Sequence, residues 1–395
     1  MGVKVLRKYN KLLRLQSCCF NSSKSVYSCK MKLLDELIAK VALARADRMG
    51  PATAQKLVER FGDPLAIFQS SNAELRDFGC HDQLIRGIRD EVNWRRAGEE
   101  ILEVQNEGGE VISKWEPNYP EQLKRCLDAP IFLYVKGSFS GGMKRCLSIV
   151  GTRRSTEYGK KVCERMVAEL AKYDVTIVSG LAFGIDILAH RAALNYGLPT
   201  IACLAHGLDR IYPSVHASDA RKMLETGGWI TEFPPNRKPK RENFPSRNRI
   251  IAGLSEATVV VESNVKGGSM ITARIAASYN RDVFAVPGNV FDASSEGPNF
   301  LIQNMEAQLF SSVSKMALEL GWENRGRPKK QLRLLLDLDE NEQRVVDLLS
   351  QRKTHISSME YELGWTPSTL SMVLLNLELK SLIRLCPGQC YELIH

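Results

Sequence analysis

Three short stretches carry the residue types that hold phosphate: Gly151-Thr152-Arg153-Arg154-Ser155-Thr156, Ser179-Gly180-Leu181-Ala182-Phe183-Gly184-Ile185-Asp186 and Lys266-Gly267-Gly268-Ser269-Met270-Ile271-Thr272. Each follows a short apolar run and precedes a helix-forming one, where the free N–H groups of a helix start can receive an oxyanion. Small residues let the backbone approach closely, and Arg153, Arg154 and Lys266 add full charges that amides lack. One such turn is weak evidence. Three on one sheet edge suit a polymer of phosphates or one extended nucleotide. A fourth segment, residues 236–249, holds Arg237, Lys238, Lys240, Arg241, Arg247 and Arg249 against the single acid Glu242. Phe244 in that segment and Phe233 just before it offer faces on which unpaired bases stack. The same composition also reads as a solvated basic loop anchored by its phenylalanines.

Signals for covalent or acid–base catalysis are poor. Asp186 and His190 stand four apart on one helix face, but no nucleophile or third ligand accompanies them, so the spacing predicts a structural His–Asp hydrogen bond. His206 and His216 fall in a shaped loop with Gly207, Tyr212 and Pro213, and neither has an evident partner in sequence. GxSxG, HExxH, GxxxxGK[ST] and GxGxxG are all missing, and the ten cysteines form no CxxC pair. Glu262, just before the third turn, is the one carboxylate placed to act as an acid on a glycosidic bond. It carries the alternative reading, a nucleotide hydrolase acting on nucleoside monophosphates.

Positioning these turns requires a sheet. Residues 146–150, 175–179, 200–204, 229–231, 257–261 and 283–286 are short and mostly apolar on both faces, as parallel strands covered by helices should be. Helical stretches at 160–172, 187–195 and 270–280 alternate with them. The pattern predicts an α/β, doubly wound, mostly parallel sheet whose ligand sits at the carboxyl ends of the strands near the switch point. Before it, residues 31–106 predict a small helical domain. Gly50-Pro51 there joins two helices in the manner of a helix-hairpin-helix or SAM-like module. The sheet domain is expected over 107–320, a basic linker over 321–338, and a winged-helix-like domain over 339–395. The last has three helices and a two-stranded wing. Its third helix, within residues 366–380, has one base, Lys380, and one acid, Glu378. That is a poor composition for reading a DNA groove, and it suits a protein-contact or dimer-stabilising module.

The chain has 395 residues and a net charge of +9, but its first thirty residues hold seven bases and no acid, which leaves +2 for the rest. The basic character is therefore local. Residues 1–30 read as a disordered tail or an over-long start. No apolar run reaches the ~18 residues of a membrane helix, and scattered thiols in a long chain point to a reduced, cytoplasmic setting.

The motifs, in this order, resemble the DNA-processing protein A (DprA/Smf) family: Gly151-Thr152-Arg153 with Tyr158-Gly159; Ser179-Gly180-Leu181-Ala182-Phe183-Gly184-Ile185-Asp186; Phe244-Pro245 with Arg247-Asn248-Arg249; Gly267-Gly268-Ser269 with Thr272; and Phe284-Ala285-Val286-Pro287-Gly288. The resemblance implies an extended Rossmann-like domain that binds single-stranded DNA, loading of the RecA recombinase during natural transformation, a homodimer, no cofactor and no catalytic activity. Carried over by motif, Arg153 grips a phosphate, Ser179–Gly180 and Gly267–Ser269 supply amides, and Arg247 and Arg249 line or brace the groove. The full candidate contact set is Gly151, Arg153, Arg154, Ser179, Gly180, Phe183, Phe244, Arg247, Asn248, Arg249, Lys266, Gly267, Gly268, Ser269 and Thr272.

Overall fold

Branched and aliphatic residues recur in runs of four or five, and each run becomes a strand. The computed structural model describes residues 24–138, 145–322, 339–351, 354–380, 382–386 and 388–393. It divides into two compact units, Met1–Gly326 and Arg327–His395. In the first, nine strands form one sheet: β1 (Glu110–Ser113), β2 (Phe132–Gly137), β3 (Cys146–Val150), β4 (Thr176–Ser179), β5 (Thr200–Cys203), β6 (Gly228–Thr231), β7 (Ala257–Val260), β8 (Asp282–Ala285) and β9 (Gln308–Leu309). Their order is β1-β2-β6-β5-β4-β3-β7-β8-β9. All neighbours from β6 to β9 pair in parallel, while β1 and β2 add an antiparallel edge. The sheet is mostly parallel, as expected, and the six expected strands appear within about two residues of their expected ends.

The sheet alternates strictly. Leu147 and Ile149 of β3 enter one apolar layer with Cys163, Met166, Ile185 and Ala189, while Cys146 and Val150 enter the other with Ile250, Ile251, Met270 and Ala273. A period of two sends successive side chains to opposite faces. Full burial of such a Leu or Ile contributes about 1.5–3 kcal/mol, so a one-residue slip of β3 would be costly on both faces at once.

Among the described residues, six helices precede the sheet: α1 (Lys24–Arg45), α2 (Pro51–Phe61), α3 (Pro64–Gln69), α4 (Asn72–Asp77), α5 (Asp82–Arg89) and α6 (Glu91–Asn106). Pro51 opens α2 with its fixed φ. α1 begins at Lys24, so the helix extends into the stretch expected as a tail, and residues 1–23 lie outside the described residues. Val41, Leu57, Ile88 and Ile101 share one core with Tyr134 and Trp229 of the sheet. Arg45 reaches from α1 to Glu100 and to the Tyr134 hydroxyl, 3.2 Å each. The helical segment is thereby fixed to the sheet rather than tethered beside it.

The remaining helices of this unit are α7 (Glu121–Lys124), α8 (Glu157–Leu170), α9 (Ile185–Asn195), α10 (Ala217–Met223), α11 (Asn243–Leu254), α12 (Gly268–Ser278), α13 (Glu296–Gln303) and α14 (Val313–Glu319). α8 and α9 supply one layer, α11 and α12 the other. α11 corrects the sequence reading: half of the expected basic loop is helix. Among the described residues no helix is long and apolar enough to cross a membrane, and no cluster of three His, Cys, Asp or Glu could hold a metal.

The second unit holds α15 (Glu340–Gln351), β10 (Thr354–His355), α16 (Ile356–Leu363), α17 (Pro367–Leu379), β11 (Ile383–Cys386) and β12 (Cys390–Leu393), with the strands in the order β10-β12-β11. Val345, Met359, Leu370, Leu374, Leu377 and Ile383 form its core. The three helices and the wing fall where expected; β10 is additional. Most of the expected linker, residues 323–338, lies outside the described residues.

Candidate nucleic-acid interface

The parallel sheet changes winding direction between β3 and β7, where chain-adjacent strands are not sheet neighbours. Loops leaving these two strands diverge and leave a cleft. The structure places there a groove of about 290 Å³ lined by the loop after β3 (Gly151, Thr152, Arg153), the turn into α12 (Asn264, Gly267, Gly268, Ser269, Thr272) and the start of α11 (Phe244, Arg247, Asn248), with Ala182 and Asp186 from the third side.

Both walls hang on the two residues Glu262 and Ser263 that follow β7. The Thr152 N–H donates to the Glu262 carbonyl at 2.6 Å, and Ile185 N–H closes the turn on the Thr152 carbonyl at 3.1 Å. The buried Glu262 carboxylate accepts from the Thr156 N–H at 3.0 Å and from the Thr156 hydroxyl. Thr156 in turn caps α8 at Gly159. Glu262 is thus absorbed in holding the Arg153 loop and is not on the groove wall, which removes it from the acid's place that the hydrolase reading gave it. Across the groove, Ser263 receives the Gly297 N–H on its carbonyl and the Ser269 hydroxyl on its own.

Two kinds of positive group meet in the cleft. Gly268 and Ser269 are the first residues of α12, so no preceding turn accepts their N–H groups. Gly267 is excluded from this role, since its N–H donates to Asn264. Arg153 is exposed, and its guanidinium lies 5.3 Å from the centre of the Phe244 ring. Arg247 lies 5.8 Å from the same centre but is only 4% exposed, donating to the Cys203 carbonyl at 2.8 Å. It braces the floor. Asp186 faces it across Gly180 and takes the Gly180 N–H at 3.1 Å. Burial pushes the Asp186 carboxyl above its ordinary value against the opposing pull of Arg247, and burial likewise lowers Arg247. The net charge of the lining is positive.

Of the expected contact set, Gly151, Arg153, Phe244, Arg247, Asn248, Gly267, Gly268, Ser269 and Thr272 come together. Others do not. Ser179 is fully buried and donates to Ile149, and the Gly180 amide is taken by Asp186, so the expected donors at 179–180 are structural. Arg249 turns away to Glu232 and Asp128 and does not line the groove. Arg154 and Lys266 are exposed beside the groove without lining it, and Phe183 stands on its outer rim against His216. His190 bonds Thr200 at 2.7 Å rather than Asp186. Since Thr200 already donates to Ile177, it accepts from His190 Nδ1, and burial pushes the ring down to about 3. His206 also has partners: it donates to Gly207 and accepts the Tyr212 N–H. Sequence reasoning missed Asn264 and Thr152; their adjacency to the Gly-rich turns was the available signal.

Comparison with known proteins follows the same boundaries. Residues 110–321 match the family described as DNA recombination-mediator protein A, and residues 329–389 match the DprA winged helix domain. Protein Smf of Escherichia coli is 44% identical over 186 residues, 47% of this chain and 50% of that protein. The DNA processing protein DprA of Bacillus subtilis is 42% identical over 195 residues, 49% of this chain and 66% of the relative. The matched stretch thus spans about half to two thirds of these relatives. The X-ray structure of DNA processing protein A from Streptococcus pneumoniae superposes with a TM-score of 0.61 at 30% identity, covering 73% of this chain and 98% of that one.

Proposed function

The chain belongs to the DNA recombination-mediator protein A (DprA/Smf) family, and on that premise we propose that it binds single-stranded DNA in the switch-point groove and passes the strand to a RecA-type recombinase. The observation that carries the reading is the meeting of Arg153, Phe244 and the orphan amides of Gly268 and Ser269 in one open cleft. Amides and a guanidinium suit a phosphate; an adjacent ring suits a base. The proposed mediator is non-enzymatic and dimeric and acts in the cytoplasm during DNA uptake. In the expected domain division residues 31–106 stabilise, 107–320 bind DNA, and 339–395 contact protein. Lys380, the one base of the stretch 366–380, is tied to the buried Glu342 at 2.6 Å and so is not free for a phosphate, which favours the protein-contact role for that module.

The test is fluorescence anisotropy with a labelled oligo-dT. Arg153→Glu removes a charge-assisted hydrogen bond of about 1.5–3 kcal/mol, so affinity should fall at least about tenfold while thermal unfolding stays within about 1 kcal/mol of wild type. The slope of log K against log salt should flatten by about 0.7, one phosphate's share for a single strand. Unchanged binding by a folded variant would remove the groove assignment.

A further inference from the structure

Outside the groove, a group of exposed apolar side chains lies along its rim. Phe183 and Tyr212 are each 48% exposed and Val215 65%. Phe183 follows the groove-lining Ala182, and Tyr212 stands edge-on to the groove-lining Phe244 with centroids 6.5 Å apart. The two rings are joined by the loop after β5: it runs from His206 through Tyr212 to His216, whose buried ring supports Phe183 at 5.0 Å. This loop is fixed rather than loose. His206, itself buried, accepts the Tyr212 N–H at 3.2 Å and donates to Gly207 at 2.9 Å, and the His216 N–H closes a turn on Pro213.

Two of the cations near this rim are paired. Arg210 is paired with Asp209 and Arg191 with Asp219. The patch itself offers two rings and a methyl surface. We propose that Phe183, Tyr212 and Val215 form a base-receiving track continuous with the phosphate groove through Phe244, so that the strand keeps its backbone on Arg153 and the α12 amides while neighbouring unpaired bases stack along the rim. The proposal rests on the single-strand reading above. Continuity with the groove through Phe244 and Ala182 selects bases of the same strand as the occupant, since stacking accepts any base and needs no hydrogen-bond readout.

The test compares an oligo-dT with a same-length abasic oligonucleotide, both by anisotropy. Wild type should prefer the base-bearing strand. Phe183→Ala and Tyr212→Ala should each reduce that preference at least about fivefold while leaving the abasic affinity and its salt slope unchanged. Tyr212→Phe, which keeps the ring and the loop, should restore it. Phe183→Trp should show added fluorescence quenching with oligo-dT and none with the abasic strand. Equal binding of the two strands by wild type, or equal loss of both in the ring variants, would overturn the track and leave the groove standing. Binding of neither strand would overturn the groove and the track together. A variant that keeps the base preference but changes the sedimentation of the protein would assign the patch to a second copy and refute the proposal.

Discussion

Replacing Gly180 with Ala should damage the protein far more than one methyl group suggests. A Cβ at this position falls inside the Arg247 guanidinium and 2.6 Å from Asp186 Oδ2. Gly180, Asp186 and Arg247 are all buried, so none can yield toward solvent. Overpacking a core site costs about 1–3 kcal/mol. Displacing Arg247 also strains its bond to the Cys203 carbonyl, a charged hydrogen bond of about 1.5–3 kcal/mol. Together they predict a loss of about 3–5 kcal/mol, read from urea unfolding followed by far-UV circular dichroism. Oligo-dT affinity should fall as well, because Arg247 supports the Phe244 ring. A double-mutant cycle isolates the cause. Arg247→Met vacates the space, and Asp186 can relieve its burial by taking a proton. The double variant should therefore be more stable than the sum of the singles by about 2 kcal/mol. A Gly180→Ala cost under about 1 kcal/mol, or strict additivity, would refute this account of the groove floor.

Other glycines separate structure from contact. Gly151→Ala should unfold the protein more readily, since its Cβ would meet Ile185 at 2.5 Å and the Glu262 carbonyl at 3.0 Å; Gly268→Ala, with open space around it, should leave stability within about 1 kcal/mol in a thermal melt yet weaken oligo-dT binding. Glu262→Gln should lower stability by weakening the clasp on Thr156, and no free base should appear from nucleoside monophosphates by chromatography; base release abolished by this change would install the hydrolase reading instead. His190 is held neutral, with a folded pKa of about 3 below an unfolded value of 6.5. The unfolded chain therefore binds the extra proton, and stability present above pH 6.5 should be lost progressively as pH falls toward 3. His190→Leu should flatten that slope in pH-dependent urea melts.

The sheet and the groove's general position were legible because both follow from local signals. Each strand is a short run of buried, mostly branched residues, and each Gly-rich turn lies directly between a strand and a helix. Errors arose where chemistry depends on distant or rotated neighbours. The family motif assigns Arg247 and Arg249 together to line or brace the groove. On α11 residues two apart do not share a face, so one braces the groove and the other pairs with Glu232 on the far side. Helical periodicity through Asn243–Leu254 was the signal that would have separated them. Donors at Ser179 and Gly180 were misread for another reason: composition shows that an amide exists, not whether Asp186 has already claimed it. The pairing of His190 with Thr200 joins a helix to the next strand and is invisible to spacing along one helix.

The most direct test of the central claim is photo-crosslinking of a 4-thiothymidine oligonucleotide to the intact protein, with adducts located by mass spectrometry. The account predicts adducts on peptides carrying Arg153, Phe244 and the turn Gly267-Gly268-Ser269, suppressed by competing unlabelled strand. Adducts confined to α1–α6 or to the winged-helix unit, with those three segments unlabelled, would contradict it.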